Sequence, residues 1–145
     1  MKVLMILSFF LLTTVGITGQ HIFTNYHTAV EKATAENKLV LMVFSGSDWC
    51  KPCIILKKDI LTTDQFVQFS KNNVVHLEVD FPYHKDNRLP EDQMAQNESL
   101  AERYNPSGEF PKVVLLNDDG EIIQKIAYKK GMDTASFISQ IKAVL

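Results

Sequence analysis

Leu39-Val40-Leu41-Met42-Val43-Phe44, then Ser45-Gly46-Ser47-Asp48, then Trp49-Cys50-Lys51-Pro52-Cys53: this stretch decides how the chain is read. An unbroken apolar run of strand length predicts a strand buried on both faces, in the interior of a parallel or mixed sheet. The small residues after it predict a turn. From Cys53 to Ile60, apolar Ile54, Ile55, Leu56 and Ile60 alternate with Lys57 and Lys58, the pattern of a helix with one wet face. The first cysteine therefore falls where a helix begins. Free backbone N–H groups and the positive end of the helix dipole favour a thiolate there, and Lys51 adds a neighbouring positive charge. Cys50 is thus expected to be an exposed nucleophile, because only a thiolate attacks a disulfide. Cys53, one turn further on, is within reach to close an intramolecular disulfide and so resolve a mixed one. Pro52 suits a first turn that needs no N–H at that position.

The flanking sequence alternates helix and strand. Tyr26 to Asn37 predicts a short amphipathic helix through Ala29, Val30 and Ala33, and Val74 to Asp80 a second strand. Between them Thr62 and Gln65 form an expected capping box for a helix through Phe66, Val67 and Phe69. Phe81 to Pro90 lacks periodicity and holds two prolines, so a loop is expected; one this long is either a partner-docking lip or a tolerated insertion. A helix over Glu91–Tyr104 ends at Asn105-Pro106-Ser107-Gly108. Lys112–Leu116 and Glu121–Tyr128 flank the hairpin signal Asn117-Asp118-Asp119-Gly120. Asp133 caps a last helix carrying Phe137, Ile138 and Ile141. The order α-β-α-β-α-β-β-α predicts one α/β domain with a central mixed sheet flanked by helices.

At 145 residues, 46% apolar and 22% charged, the chain suits one cored domain and excludes a disordered or low-complexity protein. Fifteen Lys and Arg against 17 Asp and Glu give a net charge of −2, which offers nothing to nucleic acid. Two cysteines cannot fill a four-thiolate zinc site, and His21, His27, His76 and His84 show no ligand spacing, so no metal is expected. Ile54 stands where covalent haem attachment needs a histidine. A purely structural disulfide gains little from so short a loop. The remaining rivals are a binding module whose disulfide is not catalytic and a disulfide-forming oxidase or isomerase, which differs in the direction of electron flow.

Residues 1–19 are set apart. Lys2, the apolar run Val3–Leu12 and a small-residue tail have the layout of a signal peptide, with cleavage expected after Gly19 and Gly16 as the competing site. An uncleaved hydrophobic anchor is the alternative. Export to a periplasmic or extracellular space would place the thiols in an oxidising compartment.

Phe44 to Cys53 resembles the active-site segment of the thioredoxin superfamily, closest to exported thioredoxin-like domains that begin G-S-D-W-C-x-x-C. The similarity runs from residue 26 to 145, so that 20–145 is expected to be a thioredoxin-like domain. Gly108-Glu109-Phe110-Pro111-Lys112 resembles the family's second landmark, which implies a cis Phe110–Pro111 bond facing the cysteines and a Phe110 backbone that binds an extended substrate. The resemblance implies a thioredoxin fold and a monomeric protein-disulfide oxidoreductase. Cys50 and Cys53 would be catalytic and would carry the electrons without a cofactor. Trp49 would shield the site, Pro52 set its geometry, and the partners would be disulfide-containing or dithiol proteins. Reduction outside the cytoplasm further implies a membrane thiol electron donor. One departure stands out: thioredoxins carry a buried Asp six residues before the first cysteine, and Phe44 is there instead. Without that acid Cys53 should lose its proton slowly. Asp48 reads as a solvated turn residue. Strand alternation sets His76 and Glu78 on one face, toward the site or toward a merely local hydrogen bond, and Val75, Leu77 and Val79 on the other.

Overall fold

The computed structural model describes residues 19–145, so the expected signal segment lies, apart from Gly19, outside the described residues. Five strands run in the spatial order β1-β3-β2-β4-β5: β1 (Ile22–Phe23), β2 (Leu39–Ser45), β3 (Val74–Asp80), β4 (Lys112–Leu116) and β5 (Ile122–Ile126). β1 and β2 lie parallel to β3, β4 runs antiparallel to β2, and β5 antiparallel to β4. The helices are α1 (Tyr26–Glu36), α2 (Lys51–Leu56), α3 (Asp64–Asn73), α4 (Glu91–Tyr104) and α5 (Thr134–Lys142).

β2 is the central strand, and its side chains divide between two cores. Leu41 and Val43 pack with Leu56, Ile60, Phe66, Phe137 and Ile141, under α2, α3 and α5. Val40, Met42 and Phe44 pack with Ala29, Leu77, Leu100, Tyr104 and Val114, under α1 and α4. A strand covered on both sides favours apolar residues on both faces, which is why Leu39–Phe44 does not alternate.

Side chains and turns set the ends of the elements. Asn25 caps α1, its Oδ1 accepting from Thr28 N at 3.0 Å. Asn37 ends that helix in the left-handed region at φ 52°, and Lys38 N–H reaches back to Ala33 O at 2.9 Å. Asp133 caps α5 through Ser136 N at 2.7 Å. In the Asn117–Gly120 turn Gly120 adopts φ 73°, and a Cβ there would stand 2.6 Å from the Tyr26 hydroxyl.

The structure departs from the sequence-based expectations at several points. The cap of α3 is Thr63, which accepts from Phe66 N at 3.3 Å, and not Thr62. α2 runs on into a π-helical turn over Lys57–Leu61, whose end draws the Thr62 hydroxyl back onto the carbonyls of Lys57 and Lys58. β1 was not visible in the sequence, since two residues carry no periodicity. β5 is shorter than expected, Ile122–Ile126. Asp48 is not a solvated turn residue: its carboxylate accepts from Tyr83 N (2.8 Å), His84 N (2.9 Å) and Asn87 Nδ2 (2.9 Å). It thereby ties down the 81–90 loop, which is irregular except for a 3-10 turn at Lys85–Asn87.

Partial desolvation raises the pKa of Asp48, but the Tyr83 N–H, the Asn87 amide and the His84 N–H outweigh it and bring the value down to about 2. A depressed carboxyl pKa stabilises the anchored loop above the unfolded value near pH 4, and that contribution is lost as pH falls through about 2. Asp48→Ala should speed hydrogen exchange at the Tyr83 and His84 amides by about tenfold or more at neutral pH. Unchanged exchange would show that the loop holds without its anchor. In the core, Phe137 is fully buried and meets the Phe66 ring edge-on at 5.9 Å, so Phe137→Ala should cost about 3–5 kcal/mol in urea denaturation.

Candidate active site

Cys50 and Cys53 are joined in a disulfide, S–S 2.03 Å, with Cα atoms 5.3 Å apart. Cys50 is the N-cap residue of α2, in extended conformation, and its Sγ accepts from Cys53 N–H at 3.3 Å. Pro52 lies in the first turn as expected. The expectation of an exposed Cys50 is corrected: it is only 4% accessible and Cys53 3%. The rim is formed by Trp49, which is 48% accessible, and by Lys51 and Pro52, both exposed.

Long-range contacts hold Trp49 in place. Its Nε1–H donates to Phe81 O at 2.7 Å, and its ring meets Phe110 edge-on at 5.5 Å. Phe110 in turn meets Phe81 at 5.7 Å. Gly46 lies under the indole, and a Cβ there would collide with the Trp49 ring. The turn before Trp49 is tied to β3, where the Asp80 carboxylate accepts from Ser47 N (2.8 Å) and Ser47 Oγ (2.5 Å).

The Phe110–Pro111 bond is cis. Asn105, 2% accessible, shapes the loop that carries it: Oδ1 accepts from Glu109 N at 3.0 Å and Nδ2 donates to Glu109 O at 2.8 Å. Sequence reasoning took Asn105 only as the end of a helix. A helix-stop residue whose amide is also used by the next loop leaves no distinct pattern along the chain.

Beneath the disulfide lies a cavity of about 10 Å³ whose lining includes Cys53, Lys57, Thr62, His76, Glu78 and Pro111. His76 and Glu78 thus do face the site, on the side of β3 that also carries Val74 into the α2–α3–α5 core. Lys57 Nζ is 3.1 and 3.3 Å from the two oxygens of Glu78. His76 is 4% accessible. Burial, and then the charge of Lys57, push its pKa down to about 4, so the ring is neutral near pH 7. Phe44 is fully buried in the opposite core.

A family model described as "Thioredoxin-like domain" matches residues 26–142. Disulfide bond reductase DsbH of Chlamydia pneumoniae is 31% identical over 121 residues, 83% of this chain and 70% of that protein. Thioredoxin-related protein DsbJ of the same organism is 28% identical over 70% of this chain but only 28% of its own length. Among solved structures, a DsbH oxidoreductase superposes with a TM-score of 0.76 at 28% identity, over 94% of this chain and 92% of that one. A thioredoxin from Thermus thermophilus shares the fold alone, with a TM-score of 0.64 at 18% identity over 88% of both chains. With a cysteine pair joined at the start of the helix that follows a central strand, the chain belongs to the thioredoxin-like family and is an oxidoreductase of that family.

Proposed function

We propose that the protein is an exported thiol:disulfide oxidoreductase that reduces disulfides of other exported proteins. The observation that carries this reading is the placement of Cys50 Sγ at the first turn of α2, bonded to Cys53 and accepting its N–H. That N–H, the helix start and nearby Lys51 favour a thiolate on Cys50 once the pair is reduced.

In the reaction, the Cys50 thiolate attacks a partner disulfide and forms a mixed disulfide, releasing one partner thiolate. Cys53 then loses its proton and attacks Cys50 Sγ; the mixed bond breaks and the second partner sulfur leaves with the electron pair. The protein ends as the disulfide and the partner as a dithiol. Trp49 and Phe110 form an aromatic wall at one side of the disulfide, and Pro52 sets the spacing of the two sulfurs. The Phe110 backbone, next to Pro111, pairs with an extended partner segment as an added strand. The 81–90 loop, tied to Asp48 and Trp49, borders the same groove as a docking lip. No cofactor is required, because the cysteines carry both electrons. Export through the 1–19 segment calls for a thiol donor in the membrane to reduce the pair again. The reducing direction is supported by the likeness to a protein named as a disulfide bond reductase and by Pro52.

Two measurements test this. Cys53→Ser should accumulate covalent mixed disulfides with partner proteins, resolved by added dithiol, whereas a non-catalytic binding module would give only non-covalent complexes. Equilibration with glutathione should place the Cys50–Cys53 potential nearer about −270 mV than the about −120 mV of a strong oxidant. A value at the oxidising end would reverse the direction.

A further inference from the structure

His76 carries a buried polar atom that the fold leaves unused. The Gln20 amide nitrogen donates to Ser70 Oγ at 3.2 Å and lies 3.2 Å from His76 Nδ1. An NH₂ group can only donate, so Nδ1 accepts and the neutral ring bears its proton on Nε2. That Nε2–H has no partner among the described residues. Leaving such a donor dry inside a protein is costly. The ring also lines the cavity beneath Cys53, whose volume of about 10 Å³ matches about one water molecule. Glu78, two residues along the same strand face, lines this cavity and also an open cleft of about 490 Å³. Its side chain is 17% accessible, so it touches the interior on one side and solvent on the other.

We propose that this cavity seats a single water that His76 Nε2–H holds in place, and that this water passes the thiol proton of Cys53 to the carboxylate of Glu78. The inference rests on Cys53 being the resolving thiol. The water accepts from Nε2–H and from the Cys53 S–H, and donates to a Glu78 oxygen. When Cys53 attacks, its proton moves to the water and a water proton moves to Glu78. Cys53 Sγ bonds to Cys50 Sγ, and the partner sulfur leaves with the electron pair. Glu78 then releases its proton into the cleft. The titratable groups of the cavity are Cys53 and Lys57 from α2 and its π turn, and His76 and Glu78 from β3; β1, β2 and the Pro111 loop contribute Ile22, Val43, Ser45 and Pro111. The Lys57 ammonium holds the Glu78 carboxylate and favours the thiolate as it forms. His76 is a positioning residue, acting only through the water.

An aryl disulfide that releases a coloured thiolate, 5,5′-dithiobis(2-nitrobenzoate), tests this on the reduced protein by stopped flow. The first release reports attack by Cys50 and depends on reagent concentration. The second reports attack by Cys53 and does not. Glu78→Gln should slow the second release about tenfold or more at pH 7 and leave it rising about tenfold per pH unit, as hydroxide becomes the base. His76→Phe should slow it about tenfold, while His76→Gln, which keeps an N–H donor, should stay within about threefold of wild type. A second release in Glu78→Gln and His76→Phe as fast as in wild type overturns the proposal, as does an equal loss in His76→Phe and His76→Gln. If His76→Phe does not fold, Glu78→Gln decides alone. No concentration-independent second release in the wild type would remove Cys53 as resolver and this inference with it, a failure distinct from unchanged variants.

Discussion

The fold depends on β2 having no wet side. Its residues feed two cores at once, Leu41 and Val43 into one and Val40, Met42 and Phe44 into the other. Shifting the strand by one residue would exchange the two sets, so its register is firmly set by packing. The chain must then leave the sheet at Ser45, turn within a few small residues, and start α2 at Cys50. The position of the reactive pair follows from hydrophobic burial several residues upstream, and the helix start supplies the polar environment of the sulfur.

The turn between strand and helix is held by groups far away along the chain. Asp80 holds Ser47, Asp48 holds the amides of Tyr83 and His84, and Trp49 donates to Phe81 O. All of these join the turn before the cysteines to the end of β3 and the loop after it. Asn105, through local bonds to Glu109, fixes the segment that carries Pro111. The disulfide therefore sits between two loops fixed by side-chain-to-backbone hydrogen bonds, a rigid setting for chemistry that depends on sulfur placement.

Two of the polar groups under the site, His76 and Glu78, stand on β3. With Phe44 buried among apolar side chains, the ionisable groups that line the cavity beneath Cys53, among the described residues, are Lys57, His76 and Glu78 beside the cysteine itself. A neutral histidine deep in the sheet and a carboxylate at the cavity's edge can coexist because one is desolvated and the other is paired and reaches solvent.

Local pattern was enough for a large part of this protein. The unbroken run Leu39–Phe44 marked the central strand, Cys50 and Cys53 marked the redox pair by spacing at a helix start, and Asn117–Gly120 marked the hairpin. These signals lie within a few residues of one another and reflect backbone geometry or continuous burial. Alternation also put His76 and Glu78 on one face, but only strand pairing and helix packing decided that this face looks onto Cys53. The burial of Cys50, the anchoring role of Asp48, the use of Asn105 and the existence of β1 were settled in three dimensions. Asp48 depends on partners tens of residues away, Asn105 on a bond to Glu109 that follows no regular pattern, and β1 on an edge that exists only once β3 is in place, and such partnerships leave no periodic trace along a single chain.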